Sequence, residues 1–298
     1  MSYGYDTLIY GHEIVLVGFL SYSVRLHIAR STMMGNARAS KDGTSKGTAS
    51  HAFYFYRSNL EMSIEHKTMR NMSQGLTYNV DIVMCIDCTG SMGDLLDTVK
   101  KNALKFYPDL KTRCEAKGKE ISDLRIRVIG FRDLGYDKEN AIVDSGFLSI
   151  PEQEEEFKSL VNSFVPSGGG PEPESGLEAL AMAINSDWTR GGDKRRHVIV
   201  VWSDASTHAL GECGKENPLY PAEAPANLDE LTDWWEDEQS AGKMNSNAKR
   251  LVIFAPDASA WSEIGNSWTN TIHHTAKAGS GLEDVDYDTI LATIVNSI

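Results

Sequence analysis

Residues 85–94, "CIDCTGSMGD", follow directly on the apolar run of Val80, Ile82, Val83 and Met84. A chain leaving a buried strand here sets an aspartate, a threonine and a serine at alternate positions, Asp87, Thr89 and Ser91. All three carry hard oxygen atoms, and the glycine between Thr89 and Ser91 lets the backbone turn tightly. Such a loop can cap a helix, hold a phosphate or hold a divalent metal. The rest of the sequence has to choose.

The chain has 298 residues, enough for one large domain or two small ones, and 41% apolar residues, enough to bury a sizeable core. Its formal net charge of −13 is uneven: residues 1–75 hold eight Lys/Arg against five Asp/Glu, or +3, which leaves −16 on residues 76–298. So acidic a body repels a phosphate backbone and argues against general nucleic-acid binding, whereas metal ions or a basic partner patch suit it. Four cysteines, Cys85, Cys88, Cys114 and Cys213, are too few for a disulfide scaffold. Cys85 and Cys88 form a C-x-x-C but straddle Asp87 at a strand end, which reads as reduced, half-buried thiols rather than a redox pair. The apolar stretch 14–20 falls far short of the ~20 residues that span a bilayer, and no basic segment precedes it as in a signal peptide. No membrane span and a cytoplasmic location are the expectation.

From residue 76 onward short apolar runs alternate with helical patterns, the mark of an open α/β sheet. Strands are expected over 80–87, 124–131, 141–148, 197–203 and 250–255, with a weaker one over 271–275. Three runs, "IVMCID", "VIVVWSD" and "LVIFAPD", are apolar and end in Asp, as central parallel strands covered on both faces do. The connection 132–140 is too short for a crossover helix, so the second and third strands are expected to form an antiparallel edge pair. Helices are expected over 94–117, 151–165, 174–185, 229–241, 260–267 and 287–297. Residues 1–75 form an extension, in which the strand-like pieces 12–24 and 51–57 flank a Ser/Thr/Gly/Ala/Lys tract over 31–50. A hairpin packed on the main domain, a poorly ordered extension, and a true start near Met69 or Met72 all fit that pattern.

In an open parallel sheet, ligands sit outside the carboxyl ends of the strands, where strand order reverses. Three polar clusters fall at such ends: Asp87-x-Thr89-x-Ser91; "PSGGGPEPES" (166–175) with Glu172 and Glu174; and "SDASTH" (203–208) with Asp204. Three carboxylates and two hydroxyls can thus converge, and an all-oxygen set favours Mg²⁺ or Mn²⁺, with Ca²⁺ admissible if the loop is loose. A P-loop is disfavoured because no lysine follows Gly168–Gly170 in register. The phosphoaspartate phosphatase pattern D-x-D-x-T has Thr89 in place of its general acid, and "DCTGSMG" lacks dinucleotide-binding glycine spacing. Helix capping by Ser91 or Thr89 remains the plain alternative, weakened by Glu174 and Asp204 at the matching strand ends.

"DIVMCIDCTGSM" resembles the first strand and metal-ion-dependent adhesion site of von Willebrand factor type A domains, with Thr89 replacing the first serine of D-x-S-x-S. "GPEPESGLEAL" and "SDASTHALG" resemble the second and third metal loops, closer to those of integrin β I-like domains, where a Glu after Pro replaces a metal-binding threonine. The resemblance covers residues 76–298. It implies a doubly wound, mostly parallel, Rossmann-like sheet and the metal ligands Asp87, Thr89, Ser91, Glu174 and Asp204. Asp94 matches one acidic residue of an adjacent integrin site, but Leu95 stands at the other. Asp133 matches one ligand of a further site, yet Gly169 and Pro171 stand where its others would be. One metal is therefore expected, with Asp94, Asp133 and His208 as supporting neighbours. Cys213 and the pair His273–His274 lack metal-ligand spacing, so no zinc site is expected.

The resemblance implies a binding function in which a protein partner's acidic side chain completes the coordination of the ion. It also suggests intracellular assemblies with ATPases, kinases and phosphatases, or stress-response proteins. No nucleophile–base pair stands out, so an enzyme is not indicated. The alternative from another class is a metal-dependent hydrolase or phosphotransferase on the same carboxylates, with His208 as the base.

Overall fold

The computed structural model describes residues 5–10, 13–18, 77–237, 244–276 and 287–297. The chain divides into two units, Met1–Ser73 and Gln74–Ile298. In the first, strands β1 (Tyr5–Tyr10) and β2 (Glu13–Gly18) pair antiparallel, with Ile9 opposite Ile14. The hairpin thus uses residues 5–10, a stretch the sequence reading passed over, while the piece 51–57 lies outside the described residues.

The second unit is built on a six-stranded sheet of order β5-β4-β3-β6-β7-β8. Its strands are β3 (Tyr78–Asp87), β4 (Asp123–Phe131), β5 (Ile142–Ile150), β6 (Lys194–Trp202), β7 (Lys249–Pro256) and β8 (Thr271–Ala276). All pairings are parallel except β4 with β5, the edge pair that the short connection demands. This is the doubly wound, mostly parallel sheet with one antiparallel edge strand that the resemblance implies.

The apolar run of β3 explains why the strand is central. Val80, Ile82, Met84 and Ile86 pack into one core with Leu96, Phe106 and Leu110 of α1 (Gly93–Ala116), Phe157 and Val161 of α2 (Glu154–Ser163), and Leu291 and Ile294 of α6 (Tyr287–Ser297). Val83 and Cys85 point the other way. They meet Leu177 and Leu180 of α3 (Gly176–Ile184), Leu231 of α4 (Leu228–Glu236) and Trp261 of α5 (Ser259–Ser267). A strand apolar on both faces can only sit between two helix layers, and truncating a fully buried residue such as Ile82 to Ala costs about 2–5 kcal/mol.

Several local expectations shift. Glu174 and Ser175, expected in a helix, lie before α3, and Glu174 forms an isolated parallel bridge with Thr207. Of the two tryptophans in the α4 segment, Trp235 is buried and stacks on Trp268, while Trp234 is only partly covered. The C-x-x-C thiols are fully rather than half buried, Cys85 in one core and Cys88 in the other, so the intervening sheet separates them. Burial pushes both up to about 12, which leaves them protonated and inert.

Candidate functional site

β3 and β6 are adjacent, but the chain leaves β3 toward β4 and returns to β6 on β3's other side, so the strand order reverses at β3. The loops leaving β3 and β6 therefore diverge and open a crevice at the carboxyl edge. Asp87 ends β3, and Ser203 and Asp204 follow β6.

The first loop does not cap its helix. Neither the 3-10 turn Gly90–Met92 nor α1 receives a side-chain cap, although Thr89 and Met92 occupy the cap positions. The hydroxyls turn instead toward carboxylates. Thr89 Oγ1 donates to Asp87 Oδ1 at 2.6 Å and lies 3.1 Å from Ser91 Oγ. Ser91 Oγ donates to Asp204 Oδ1 at 3.0 Å. Asp87 Oδ1 also accepts the Thr89 amide at 2.9 Å, and its Oδ2 accepts Ser203 Oγ at 2.7 Å. Asp87, Thr89 and Asp204 are buried, and Ser91 is exposed at the mouth.

The glycine-rich second loop folds over this cluster. Gly90 N–H donates to Gly168 O and Ser167 N–H to Cys88 O, tying the first two loops together. At Gly169 φ is +91°, and a Cβ there would come within 2.5 Å of Glu174 Oε1 and 2.8 Å of Thr89 Cβ. Only glycine admits this approach. Glu174 in turn exchanges backbone bonds with the third loop, its N–H donating to Ser206 O and its carbonyl accepting from His208 N–H. Glu172, the other acid of this loop, accepts the Ser206 amide at 2.7 Å. The structure thus brings Asp87, Thr89, Ser91, Glu174 and Asp204 to one crevice.

Three residues that the sequence reading did not single out position the site. Arg132, buried directly after β4, donates to the carbonyls of Ser167 (2.8 Å), Asn140 (2.8 Å) and Val165 (2.9 Å) and so clamps the glycine-rich loop. Asp137 Oδ2 accepts the amides of Gly169 (2.9 Å) and Asp133 (3.1 Å). Ser203 holds Asp87 as above. The signal for Arg132 was a lone basic residue between an apolar strand and Asp133.

The electrostatics set these carboxylates apart from an ordinary buried acid. Asp81, also buried, is neutralised by Arg125, which donates to its two oxygens at 2.9 and 2.7 Å. Among the described residues no lysine or arginine pairs with Asp87, Glu174 or Asp204. Glu174 Oε2 is buried with no hydrogen-bond partner. Burial, then the fields of Asp87, Asp133, Asp137 and Asp204, pushes Glu174 up to about 9. Burial also raises Asp87 to about 6, against the hydrogen bonds from Thr89 and Ser203, and it raises Asp204. Uncompensated buried carboxylates are costly, and a cation removes that cost. The orphaned Glu174 oxygen, the uniformly hard oxygen donors and the space that Gly169 leaves fit a Mg²⁺- or Mn²⁺-class ion.

The supporting residues fall differently. Asp94 lies in the first turn of α1, and its side chain is outside the described residues. Asp133 Oδ1 accepts the Gly135 amide at 2.7 Å, and its field adds to that of Asp87 in raising Glu174. His208 turns its ring toward Asp133 rather than the crevice, with Nε2 3.6 Å from Asp133 Oδ1. Cys213, set aside for want of ligand spacing, comes to the same oxygen, its Sγ 3.8 Å away. Asp133, His208 and Cys213 thus form a group whose donor atoms lie within 4.8 Å of one another. Spacing along the chain could not reveal it, because three separate segments supply it.

No family model and no curated protein matches this chain. Among solved structures it is similar to the pilus adhesin SpaC from Lactobacillus rhamnosus GG, at 12% identity and a TM-score of 0.46, covering 75% of this chain and 31% of that one. It is similar also to the vWF domain of the type V pili tip protein Mfa5 from Porphyromonas gingivalis, at 14% identity and a TM-score of 0.41, covering 75% of this chain and 97% of that one. A third is proximal thread matrix protein 1 from the mussel byssus, at 12% identity and a TM-score of 0.40, covering 74% of this chain and 48% of that one. The match thus spans about a third of the SpaC chain.

Proposed function

We propose that the chain is a divalent-metal-dependent protein-binding module and not an enzyme. The carrying observation is Glu174, a buried carboxylate with an orphaned oxygen beside Asp87 and Asp204 and, among the described residues, no basic side chain to neutralise it. Asp87, Thr89, Ser91, Glu174 and Asp204 would hold Mg²⁺ or Mn²⁺, with Ca²⁺ as the larger alternative. Such an ion would supply Lewis acidity toward a partner's acidic side chain. Three carboxylates leave a formal −1 on the ion's site, which tempers its pull on an incoming anion. The residues do the rest: Arg132 and Asp137 hold the second loop closed, Gly169 keeps the crevice free of a side chain, and exposed Ser91 marks its entrance.

An adaptor or regulatory role in an intracellular complex fits this reading. All four cysteines are free, in keeping with a reducing, cytoplasmic setting, and no described helix is long and apolar enough to cross a membrane. The −16 on residues 76–298 speaks against nucleic acid as the partner.

The test is calorimetric titration of Mg²⁺, Mn²⁺ and Ca²⁺ into EDTA-stripped protein, with Asp87→Ala alongside, followed by binding of Glu-bearing peptides with and without metal. Saturable binding to wild type that Asp87→Ala abolishes, with peptide retention reversed by EDTA, is the expected result. No metal binding to folded wild type rules the reading out. Turnover of a phosphate or carboxylic ester that vanishes in Asp87→Ala would favour the hydrolase instead.

A further inference from the structure

Beside the oxygen-lined crevice lies a group of different chemistry: one carboxylate, one imidazole and one thiol. Asp133 follows β4, while His208 and Cys213 come from the segment after β6, and their donor atoms lie within 4.8 Å of one another. We propose that Asp133, His208 and Cys213 form a second metal site, selective for a zinc-class ion, that ties the segment after β6 to the turn after β4.

The distances suit a tetrahedron. Zinc bonds of about 2.0–2.3 Å at tetrahedral angles place an oxygen and a nitrogen ligand about 3.4 Å apart, and an oxygen and a sulfur about 3.6 Å apart. Here His208 Nε2 stands 3.6 Å and Cys213 Sγ 3.8 Å from Asp133 Oδ1, close to those edges, and the imidazole and thiol lie within 4.8 Å of each other, so drawing that third edge in completes the set. Both separations are too long for a strong hydrogen bond. His208 Nε2 is buried and has no hydrogen-bond partner. Thiolate and imidazole select zinc-class ions over Mg²⁺, which distinguishes this group from the hard oxygens next door.

A second observation points to a missing cation. Glu178 on α3 is fully buried, and no lysine or arginine among the described residues pairs with it. Only backbone amides, that of Gly211 among them, stand near its carboxylate, none at close hydrogen-bond distance. Its field reaches Cys213, and that of Asp133 reaches it, so the acid belongs to the same neighbourhood. Burial pushes Glu178 up to about 7, with the nearby Gly211 amide offsetting only part of the effect. The chain also makes room for the thiol: a Cβ at Gly135 would overlap Cys213 Sγ, so glycine is required for Cys213 to reach Asp133.

Two other uses of these residues fit less well. A cysteine nucleophile needs its thiol on the imidazole and a lowered pKa, yet here thiol and imidazole both approach one carboxylate oxygen. Burial and Asp133 moreover raise Cys213 above the ordinary thiol value. A disulfide has no partner, because Cys85, Cys88 and Cys114 are buried elsewhere. With three protein ligands the ion keeps one position open, on the side where Cys213 is partly exposed. Because the His208 amide donates to Glu174 O, fixing His208 also steadies the third loop of the neighbouring crevice.

The probe is Co²⁺ added to metal-stripped full-length protein. The expected result is a thiolate-to-cobalt charge-transfer band that saturates at one equivalent, is displaced by Zn²⁺ and is unaffected by excess Mg²⁺. The band should vanish in Cys213→Ser and His208→Ala and survive in Asp87→Ala, which keeps this site's failure distinct from that of the crevice. Absence of the band in folded wild type, or its persistence in Cys213→Ser, overturns the proposal. Should Cys213→Ser fail to fold, His208→Ala decides by the same criterion.

Discussion

Glu174→Gln should make the metal-free protein more stable at pH 8, by an amount that grows with pH. Burial and four neighbouring carboxylates hold Glu174 at about 9, against an ordinary value of 4.5. Between those two values the unfolded chain has lost this proton while the folded protein keeps it. A raised carboxyl pKa means the folded state binds the extra proton, so its stability falls as pH rises, by about 1.4 kcal/mol per pH unit. Asp87, raised to about 6, has largely finished its own contribution above that pH, so the interval from pH 6 to 8 reports mainly Glu174. Over those two units the wild type should lose about 2.7 kcal/mol relative to Glu174→Gln, or about 5–10 °C in Tm for a domain of this size. Glutamine mimics the protonated acid and does not titrate. The assay is thermal unfolding of both proteins in EDTA at half-unit pH steps. Mg²⁺ at 100 times its Kd should restore about 2.7 kcal/mol to wild type at pH 8 and little to the variant. Parallel pH profiles for the two proteins in EDTA would falsify the picture of an uncompensated buried carboxylate.

Gly169→Ala forces a Cβ against Glu174 and Thr89 at a left-handed φ, so it should cost about 1–3 kcal/mol in urea unfolding and weaken Mg²⁺ binding at least tenfold. Arg132→Met keeps the aliphatic stem but removes three charged hydrogen bonds to loop carbonyls, and a loss of about 3 kcal/mol is expected from the denaturant midpoint. Thr89→Ser should keep metal-dependent stabilisation, whereas Thr89→Val, which retains the shape without the hydroxyl, should abolish it in the same thermal assay. Of the four thiols only Cys213 is not buried, so a thiol reagent on native metal-free protein should label Cys213 first, though slowed by its raised pKa, and the other three only on unfolding.

The sheet was legible because strand identity is a local property. A run such as Val80, Ile82, Met84 and Ile86 interleaved with Val83 and Cys85 is apolar on both faces whatever surrounds it, and such a strand is central. The short connection 132–140 dictated the antiparallel edge pair by length alone. The three loops could be set at the carboxyl edge because alternating strands and helices fix which end of each strand they leave. Helix starts were less legible: the Glu174–Thr207 bridge draws Glu174 out of the helix that its local pattern suggested, and tertiary pairing there outweighs helix propensity. What only the tertiary structure decided is which side chains share a point in space. Asp133 and His208 are 75 residues apart and meet because β4 and β6 flank β3 in register, so their loops emerge at the same height. The Arg132 clamp and the Ser203 bond to Asp87 arise in the same way. Periodicity encodes burial residue by residue, whereas convergence depends on the registers of several strands at once, and no spacing within one segment carries that information.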